Sequence, residues 1–408
     1  MTNNDDSIIV ALDIGTSKIV AIVAEIREDN MIYILGLGSH ISTGLKRGVV
    51  VNIEQTIQSI KRAIDEAELM SGINIKTVYA GIAGSHIEGH NTDGVTVIKD
   101  KKEVSQEDVD RVMTVAKSYS VSGEKIFLHA LQQDFTIDGQ KGIKYPIGMS
   151  GTRLEVDAHL VYGSVSAANN IKKCIQRCNL GVADLVLEQL ASSYAVLSED
   201  EKDIGVCLLD IGGGTADIAV FIDGALRHTA VIPIAGDQVT KDIAIALRTS
   251  TSNAEEIKIR YGCALAKIVG ADETIKVKAI AGVGTRTIQR DVLSSTAECR
   301  YTEIFDFTRL ELAKSGFSQR IAAGLVLCGG ASKIEGASQL AEEVLNMPVR
   351  IGIPTNVGGI KDVVQNPAFA TGVGLLIYAS KEGYAQQKTQ PKNINVFNKM
   401  VSWFQDNF

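Results

Sequence analysis

The chain lacks the features that mark several common classes of protein. No apolar stretch reaches the roughly 18 residues that a helix needs to cross a bilayer. Positive charge is not in excess, because the formal net charge is −7, and we therefore expect no nucleic-acid partner, which would require a basic surface. Residues 1–7 are polar and acidic, so we expect no signal peptide.

Paired cysteine spacing is also missing. Cys174 and Cys178 share one face of a predicted helix, and Cys207 and Cys328 lie in apolar, strand-like runs. None of the 6 cysteines has the spacing of a zinc site. The pattern favours small, reduced core residues over disulfides or metal ligands.

Two short segments, residues 9–23 and 206–220, are near copies of each other. Each is an apolar run, then Asp-Ile-Gly, a small polar turn and a second apolar run. Such runs predict buried strands joined by tight hairpins. A chain of 408 residues is long enough for more than one core. Two matching hairpins, one per half, therefore indicate two related domains that face each other with a ligand between them.

The hairpins carry residue types that bind nucleotide phosphate. Glycines let phosphate oxygens approach backbone N–H groups, and hydroxyls supply further donors. The candidates are Gly15, Thr16, Ser17, Gly212, Gly213, Gly214 and Thr215, and Lys18 is long enough to reach phosphate as well. Asp13 and Asp210 end the first strand of each hairpin. Carboxylates repel phosphate unless a hard cation lies between them, so this pair predicts Mg²⁺. A Rossmann loop is disfavoured, because a β-rich run follows the glycines where that loop needs a helix.

The paired motifs resemble the phosphate motifs of the actin, heat-shock chaperone and sugar kinase superfamily. Residues 325–332 resemble its adenosine motif, which implies that Gly329, Gly330 and Ser332 hold the nucleoside. Residues 188–195 look like its first inter-domain helix, whose leading residue orients the attacking water. The resemblance therefore implies ATP as the nucleotide and gives Glu188 the catalytic role.

The same resemblance extends to the helix after Gly236. Glu255 and Lys258, three residues apart, would bracket the adenine and ribose, as in actins and chaperone ATPases. A surface ion pair is an alternative interpretation of these two residues.

Within the superfamily, the chain resembles the bacterial cell-division family FtsA over essentially its whole length. Residues 12–18, 44–48, 187–194 and 300–303 carry this likeness. It implies an α/β, two-domain actin-like ATPase fold with a relocated first-half subdomain and a C-terminal amphipathic helix. The expected parts are subdomain 1A (1–84), inserted subdomain 1C (85–162), subdomain 2A (163–226 and 306–380), subdomain 2B (227–305), a flexible linker (381–393) and a membrane-targeting helix (394–408).

Family resemblance also implies the partners. It suggests a peripheral protein on the cytoplasmic face of the inner membrane at the division site. Such a protein polymerises like actin, tethers the ring of the tubulin-like FtsZ and recruits later division proteins. The lobe 227–305 would take up the C-terminal tail of FtsZ, for which Arg300 and Glu303 are the candidate contacts. ATP hydrolysis should be slow at most, because Glu188 is the only evident water-positioning group and no arginine finger is evident.

The terminal segment 394–408 departs from the family pattern, because its only basic residue is Lys399. Its apolar stripe consists of Phe397, Val401, Trp403, Phe404 and Phe408 with their neighbours. We therefore expect hydrophobic insertion to dominate membrane binding, with little contribution from anionic lipid. The alternative is a helix that packs on the protein body or on a partner.

Two other functions remain open from sequence alone. A phosphotransferase of the sugar kinase branch would need an aspartate base, and Asp217 is the only nearby candidate. A chaperone-type ATPase would need a β-rich peptide-binding domain after the nucleotide domain. In its place the sequence has the predicted linker and one short helix.

Overall fold

A three-stranded meander opens the part of the chain that the computed structural model describes, which comprises residues 7–99, 103–118, 123–280 and 284–389. Up to residue 82 the elements are β1 (Ile8–Ile14), β2 (Lys18–Ile26), β3 (Ile32–Ile41), β4 (Leu45–Lys46), β5 (Val49–Val50), α1 (Ile53–Ser71) and β6 (Thr77–Ile82). Strands β1 and β2 pair in antiparallel register from Ile14 opposite Ile19. This is the first of the two predicted hairpins.

Helix α1 shows why this sequence forms a helix at this place. The Asn52 side chain accepts a hydrogen bond from the Gln55 N–H at 3.1 Å, which caps the first turn. Gly72 ends the helix in the left-handed region, with φ of 71°. Its buried residues include Ile57, Ile60, Ile64 and Ala67, which form an apolar stripe that covers one face of the first sheet.

The inserted block has a sheet and a core of its own. Its elements are β7 (Glu88–Val97), α2 (Gln106–Lys117), β8 (Lys125–Ile137), β9 (Gln140–Ile143) and β10 (Arg153–Ser164). The strands form an antiparallel sheet in the order β7-β10-β8-β9, and helix α2 packs on one face of it. Ser105 and Asp108 cap α2 reciprocally.

The second half repeats the topology of the first. The connecting elements are α3 (Val165–Gln176), β11 (Gly181–Leu187), α4 (Glu188–Val196) and α5 (Glu199–Ile204). The second half then contains β12 (Val206–Ile211), β13 (Ala216–Ile222), β14 (Ala225–Ile232), α6 (Gly236–Ala246), α7 (Thr251–Tyr261), β15 (Thr274–Lys278), β16 (Thr285–Gln289), α8 (Arg290–Ser315), β17 (Leu325–Cys328), α9 (Ala337–Leu345) and β18 (Val349–Ile351). The chain returns to the first half with β19 (Val357–Gly359), α10 (Lys361–Val364) and α11 (Ala370–Thr389).

The two large sheets have matching strand orders. The first is β11-β6-β1-β2-β3-β19, and the second is β14-β13-β12-β17-β18. In each, an antiparallel meander is extended by two strands that run parallel to its first strand. The prediction of two related domains, each with one Asp-Gly hairpin, is therefore confirmed.

Helices α4 and α11 pack against each other between the two sheets. Successive residues of β12 point to opposite faces, so Leu208 packs into the core shared with the first half and Leu209 into the core of the second half. The helices approach closely at Gly374, where an added Cβ would lie 1.8 Å from the Ala191 carbonyl oxygen. The two halves therefore meet at a tightly packed helix pair.

Several predicted boundaries differ from the structure. Residues 163–226 and 306–380 are predicted to form subdomain 2A, but β11 and β19, which lie in these ranges, are strands of the first sheet. The flexible linker predicted from residue 381 is wrong for 381–389, because α11 continues to Thr389. This stretch is rich in Ala, Gln, Lys and Glu, which are good helix formers despite their polarity. The predicted boundary at 226/227 falls inside β14, and the one at 305/306 falls inside α8. The terminal helix predicted at 394–408 lies outside the described residues.

Candidate functional site

The two near-copy hairpins touch each other across the two halves. At Gly214, an added Cβ would lie 2.6 Å from Thr16 Oγ1 and 2.8 Å from the Cα of Arg47. At Gly213, an added Cβ would lie 2.8 Å from Ser17 Oγ. The absence of side chains at these glycines permits this approach. The structure therefore has the halves closed on each other, with the turn of one hairpin against the hydroxyls of the other.

Backbone hydrogen bonds fix the turns themselves. The Gly212 N–H donates to the Thr215 carbonyl at 3.0 Å and closes the second hairpin. At Gly15, an added Cβ would lie 2.9 Å from the Lys18 carbonyl oxygen, which explains the glycine in the first turn. The Gly236 N–H donates to the Gly212 carbonyl at 3.1 Å. The start of α6 is thereby attached to the second hairpin.

Asp210 is held by both of the helices that lie between the halves. Ser192 Oγ on α4 donates to Asp210 Oδ2 at 2.6 Å, and Thr371 Oγ1 on α11 donates to the same oxygen at 3.4 Å. An added Cβ at Gly329 would lie 2.3 Å from Asp210 Oδ1, so the loop after β17 passes directly over this carboxylate. Sequence analysis missed Ser192 and Thr371, because small hydroxyl residues in helices give no local signal of a distant partner.

Two buried aspartates lie side by side on the second sheet. Asp217 stands directly opposite Asp210 in the ladder between β13 and β12. Its Oδ2 accepts a hydrogen bond from Thr215 Oγ1 at 2.8 Å, whereas its Oδ1 has no hydrogen-bond partner among the described residues. Burial, reinforced by the charge of Asp210, raises the pKa of Asp217 to about 7. This is an acceptor atom in dry surroundings with nothing from the protein to satisfy it.

Asp13 and Glu188 add two more acidic groups from the first half. Burial raises the pKa of Asp13 to about 6, with Lys18 opposing the rise and Asp210 adding to it. Burial also raises the pKa of Glu188, at the first position of α4, well above its usual value, and the charges of Asp13, Asp217 and Asp210 add to this effect. An added Cβ at Gly81 would lie 2.9 Å from Glu188 Cγ, so β6 makes room for this side chain.

The acidic groups do not form a complete metal-binding site by themselves. Within the described ranges, no three His, Cys, Asp or Glu side chains lie close enough together to hold a metal ion by themselves. Carboxylates from the two hairpins are nevertheless close enough to interact, because the charge of Asp210 helps to raise the pKa of Asp13. This arrangement suits Mg²⁺, which keeps several waters and takes one or two carboxylates together with phosphate oxygens.

Lys18 contacts the short segment that lies between α10 and α11. Its Nζ donates to the Ala368 carbonyl at 2.6 Å and lies 4.0 Å from the centre of the Phe369 ring. Burial lowers the pKa of Lys18, while the charges of Asp13 and Asp210 oppose the fall. Lys18 therefore lies beside the acidic groups and connects the first hairpin to the segment that precedes α11.

The predicted adenosine loop and the predicted ribose residues converge at Gly236. An added Cβ at Gly236 would lie 3.3 Å from the Ala331 Cβ and 3.5 Å from Lys258 Nζ. Lys258 Nζ donates to Thr240 Oγ1 at 2.8 Å and is 2.7 Å from Glu255. Glu255 and Lys258 do form an ion pair, and that pair lies against the turn that joins the second hairpin to α6.

The loop after β17 is built from glycine and serine. Gly329 has a φ of 85°, which favours glycine, and its N–H donates to the Pro367 carbonyl at 3.0 Å. Ser332 is buried and its Oγ donates to the Gly329 carbonyl at 2.8 Å, while Gly330 has ample space around it. Tyr301 on α8 donates to the Ala331 carbonyl at 2.7 Å and supports the loop from below.

Arg300 and Glu303 lie on α8, away from the hairpins. Arg300 Nε donates to Asp242 on α6 at 2.7 Å, and its guanidinium also bonds Glu303. The two predicted partner residues thus pair with each other and with a carboxylate that sequence analysis did not single out.

The predicted membrane residues, Phe397, Val401, Trp403, Phe404 and Phe408, lie outside the described residues. No helix in the described part of the chain is long and apolar enough to cross a membrane.

Comparison with known proteins decides the family. The cell-division protein FtsA of Pseudomonas aeruginosa is 52% identical over 410 residues, covering 98% of each chain. FtsA of Escherichia coli K12 is 43% identical over 416 residues, covering 99% of each chain. A family model described as cell division protein FtsA matches residues 207–374. The chain belongs to the FtsA family of cell-division proteins. The predicted cell-division function is confirmed, and the two alternatives, a sugar kinase and a chaperone-type ATPase, are rejected.

A second family model, an SHS2 domain inserted in FtsA, matches residues 84–162. That range contains β7, α2, β8, β9 and most of β10, which make up the separate antiparallel sheet of the inserted block. In this FtsA-family chain the insertion is therefore a compact unit, and we call residues 84–162 the inserted domain.

Solved structures share the fold of this FtsA-family chain at low sequence identity. A chain in the structure of the PilM–PilN type IV pilus biogenesis complex superposes with a TM-score of 0.65 at 17% identity. The match covers 92% of the present chain and 98% of the other. MreB5 of Spiroplasma citri bound to ADP gives a TM-score of 0.58 at 14% identity, covering 93% and 98%. The predicted actin-like, two-domain α/β architecture is confirmed.

Proposed function

We propose that this FtsA-family chain binds ATP with Mg²⁺ between its two halves and uses the nucleotide to control a membrane tether for the FtsZ ring. The observation that carries the proposal is the contact between two Asp-Gly hairpins from opposite halves, with Asp13 and Asp210 at the mouths of their turns. A ligand that bridges such hairpins favours the closed arrangement of the halves.

The chemistry of the buried groups suits a nucleotide with a divalent cation. Four buried carboxyl groups have raised pKa values, those of Asp13, Glu188, Asp210 and Asp217. The positive charge of Lys18 opposes the rise for Asp13 and Asp210. Mg²⁺ would neutralise this excess of negative charge and screen it from phosphate. In this proposal Asp13 and Asp210 hold the ion, through water or directly.

Two sets of further residues would bind the phosphates and the nucleoside. Backbone N–H groups and hydroxyls would bind the phosphates, with Lys18 exchanging the Ala368 carbonyl for a phosphate oxygen. The loop after β17, the Gly236 turn and the Glu255–Lys258 pair would hold the nucleoside. The phosphate-binding residues are Gly15, Thr16, Ser17, Lys18, Gly212, Gly213, Gly214 and Thr215, and the nucleoside-binding residues are Gly236, Glu255, Lys258, Gly329, Gly330 and Ser332.

Glu188 would orient the attacking water from the start of α4. Burial and the carboxylates around it raise its pKa, which disfavours the ionised form that could accept a proton from water, and Mg²⁺ would oppose this effect by neutralising the nearby charge. Hydrolysis should therefore be slow. MreB5 of Spiroplasma citri was solved with ADP and with AMPPNP, which supports a nucleotide at the equivalent place in this fold.

The outward connections follow from the family. We propose that copies of the chain polymerise like actin and that residues 394–408 insert into the inner leaflet of the cytoplasmic membrane. Many weakly bound segments on one filament would act together, so polymerisation strengthens attachment without any new contact. The outer lobe, 227–305, would take up the FtsZ tail through the surface that carries Arg300 and Glu303, and the assembly would recruit later division proteins.

Calorimetric titration of Mg²⁺ and ATP tests the nucleotide site. Gly213→Asp places a carboxylate where an added Cβ already lies 2.8 Å from Ser17 Oγ, so we expect at least a tenfold loss of affinity. Asp210→Ala should weaken binding mainly in the presence of Mg²⁺. Gln140→Glu, at an exposed position of β9 in the inserted domain, is the control for added negative charge. Parent-like affinity in both site variants would place the nucleotide elsewhere.

A further inference from the structure

The inserted domain covers the free edge of the second sheet. Strand β14 is the edge strand of that sheet, and such a strand leaves backbone groups without ladder partners. Gln133 Nε2 on β8 donates to the Leu226 carbonyl at 2.8 Å, and Asn91 Nδ2 on β7 donates to the Arg227 carbonyl at 3.0 Å. Side-chain amides from the inserted domain therefore take the place of a neighbouring strand.

A buried histidine completes this contact. His159 on β10 is 1% exposed, and burial lowers its pKa to about 3, so the ring is neutral. Its Nδ1 is 2.7 Å from Asn91 Oδ1, and its Nε2 is 2.9 Å from Thr229 Oγ1. Because Asn91 Oδ1 is an acceptor, Nδ1 carries the proton and Nε2 accepts from the Thr229 hydroxyl. We call the network of Asn91, Gln133, His159, Leu226, Arg227 and Thr229 the latch.

The rest of the latch is also satisfied. The Arg227 guanidinium bonds Asp134, and its Nη1 donates to Gln133 Oε1 at 3.3 Å. At Gly89, an added Cβ would lie 2.4 Å from Thr229 Oγ1 and 2.6 Å from His159 Nε2. Glycine at this point of β7 therefore lets the histidine and the threonine meet.

The latch bridges the two halves at a place distinct from the helix pair α4–α11. The inserted domain is rooted in the first half, because β7 follows β6 and β10 leads into α3. Strand β14 belongs to the second half and leads from Ile232 directly to Gly236 at the candidate nucleotide site. A rotation that separates the hairpins about α4 and α11 must therefore shift β14 against the inserted domain.

The chemistry of the latch suits a contact that opens and closes. Its bonds join amide, hydroxyl, imidazole and backbone carbonyl groups, together with the ion pair of Arg227 and Asp134, and water can satisfy all of these groups when the surfaces part. An apolar contact of the kind that Leu208 makes between the halves would resist opening much more strongly. The net contribution of each neutral hydrogen bond is small, so the latch can bias the closed state without locking it.

We propose that the latch couples closure of the nucleotide cleft to the position of the inserted domain: it forms when the hairpins are in contact and is broken when the halves rotate apart. The proposal rests on nucleotide binding between the halves, as argued above. Linkage then requires that a weaker latch lower nucleotide affinity, because binding and latch formation favour the same closed state.

Two variants of the full-length chain test the coupling by different means. Thr229→Val removes the hydroxyl from His159 with little change of shape, and Gly89→Ala inserts a methyl group between the two residues. Each should lower the affinity for Mg²⁺ and ATP by about 3- to 10-fold, the factor that corresponds to the loss of one neutral hydrogen bond. Nucleotide should also slow amide hydrogen exchange in residues 88–97 and 225–232 of the parent.

Thr308→Val is the control, because Thr308 is a buried threonine on α8 whose hydroxyl bonds only its own helix, at the Ile304 carbonyl. It should bind nucleotide like the parent. Equal affinities of the parent and both latch variants would overturn the coupling and leave the nucleotide site intact. A parent that binds no nucleotide would instead overturn the proposed function, which separates the two failures.

Discussion

Asp217→Asn tests whether the hairpin carboxylates are a source of strain in the nucleotide-free protein. Asparagine keeps the size of the side chain and can still accept the hydrogen bond from Thr215. The parent carboxyl has a folded-state pKa of about 7 against 3.8 for a free aspartate, so its ionisation opposes folding by up to about 4 kcal/mol. The protein carries this cost only where Asp217 is ionised.

The raised pKa fixes the sign of the pH dependence. Protonated Asp217 stabilises the folded state relative to the unfolded state below pH 3.8, and this stabilisation is lost as the pH rises through about 7. The free energy of unfolding of the parent should therefore fall between pH 5 and pH 8. The Asp217→Asn variant should fall less and be more stable than the parent at pH 8, by about 1 to 4 kcal/mol.

Urea unfolding at several pH values, without nucleotide or Mg²⁺, measures this difference. Asp306→Asn on α8 is the control, because Asp306 is a partly exposed aspartate that pairs with Arg309 at the surface. It should not change the pH dependence. An Asp217→Asn variant that is equal to or less stable than the parent at pH 8 would refute the interpretation of these groups as a charge excess that awaits a cation.

Three further predictions concern the helix pair, the partner and the membrane. Gly374→Ala should lower the free energy of unfolding by about 1–3 kcal/mol, because the added methyl group meets the Ala191 carbonyl. Gly372→Ala is the control and should lower it less, because its methyl group meets only the end of the Ile22 side chain. Midpoints of urea unfolding compare the two variants. Arg300→Gln should weaken binding of an FtsZ-tail peptide in an anisotropy titration, and Arg309→Gln on the same helix should not; equal affinities would remove Arg300 from the contact. Raising salt to 1 M should reduce vesicle co-sedimentation of the parent only slightly, since the terminal segment is nearly neutral, and complete release by salt would contradict hydrophobic attachment.

The sequence predicted the repeated features well and the long-range contacts poorly. Both hairpins, their aspartates and the capping of α2 follow from local patterns, and the structure bears them out. The relation between the two halves could be detected because nearly the same short segment occurs in each of them. Local pattern also misled at residues 381–389, where a polar composition suggested a flexible linker but the helix-forming residues continue α11.

The remaining parts of the site depend on residues far apart in the chain. Ser192 and Thr371 meet at Asp210 although 179 residues separate the two hydroxyls. Likewise, Asn91 and Arg227 in the latch are 136 residues apart. No periodicity or short motif encodes such contacts, because they depend on how two sheets and an inserted domain pack together.

The most direct test of the central claim is co-sedimentation of the full-length chain with lipid vesicles, with and without Mg²⁺ and ATP. We expect nucleotide to increase the sedimented fraction of the parent, since closed copies polymerise and their terminal segments bind together. Phe404→Glu should stay in the supernatant under both conditions while binding nucleotide like the parent. Parent-like sedimentation of Phe404→Glu, or no response of the parent to nucleotide, would contradict the account.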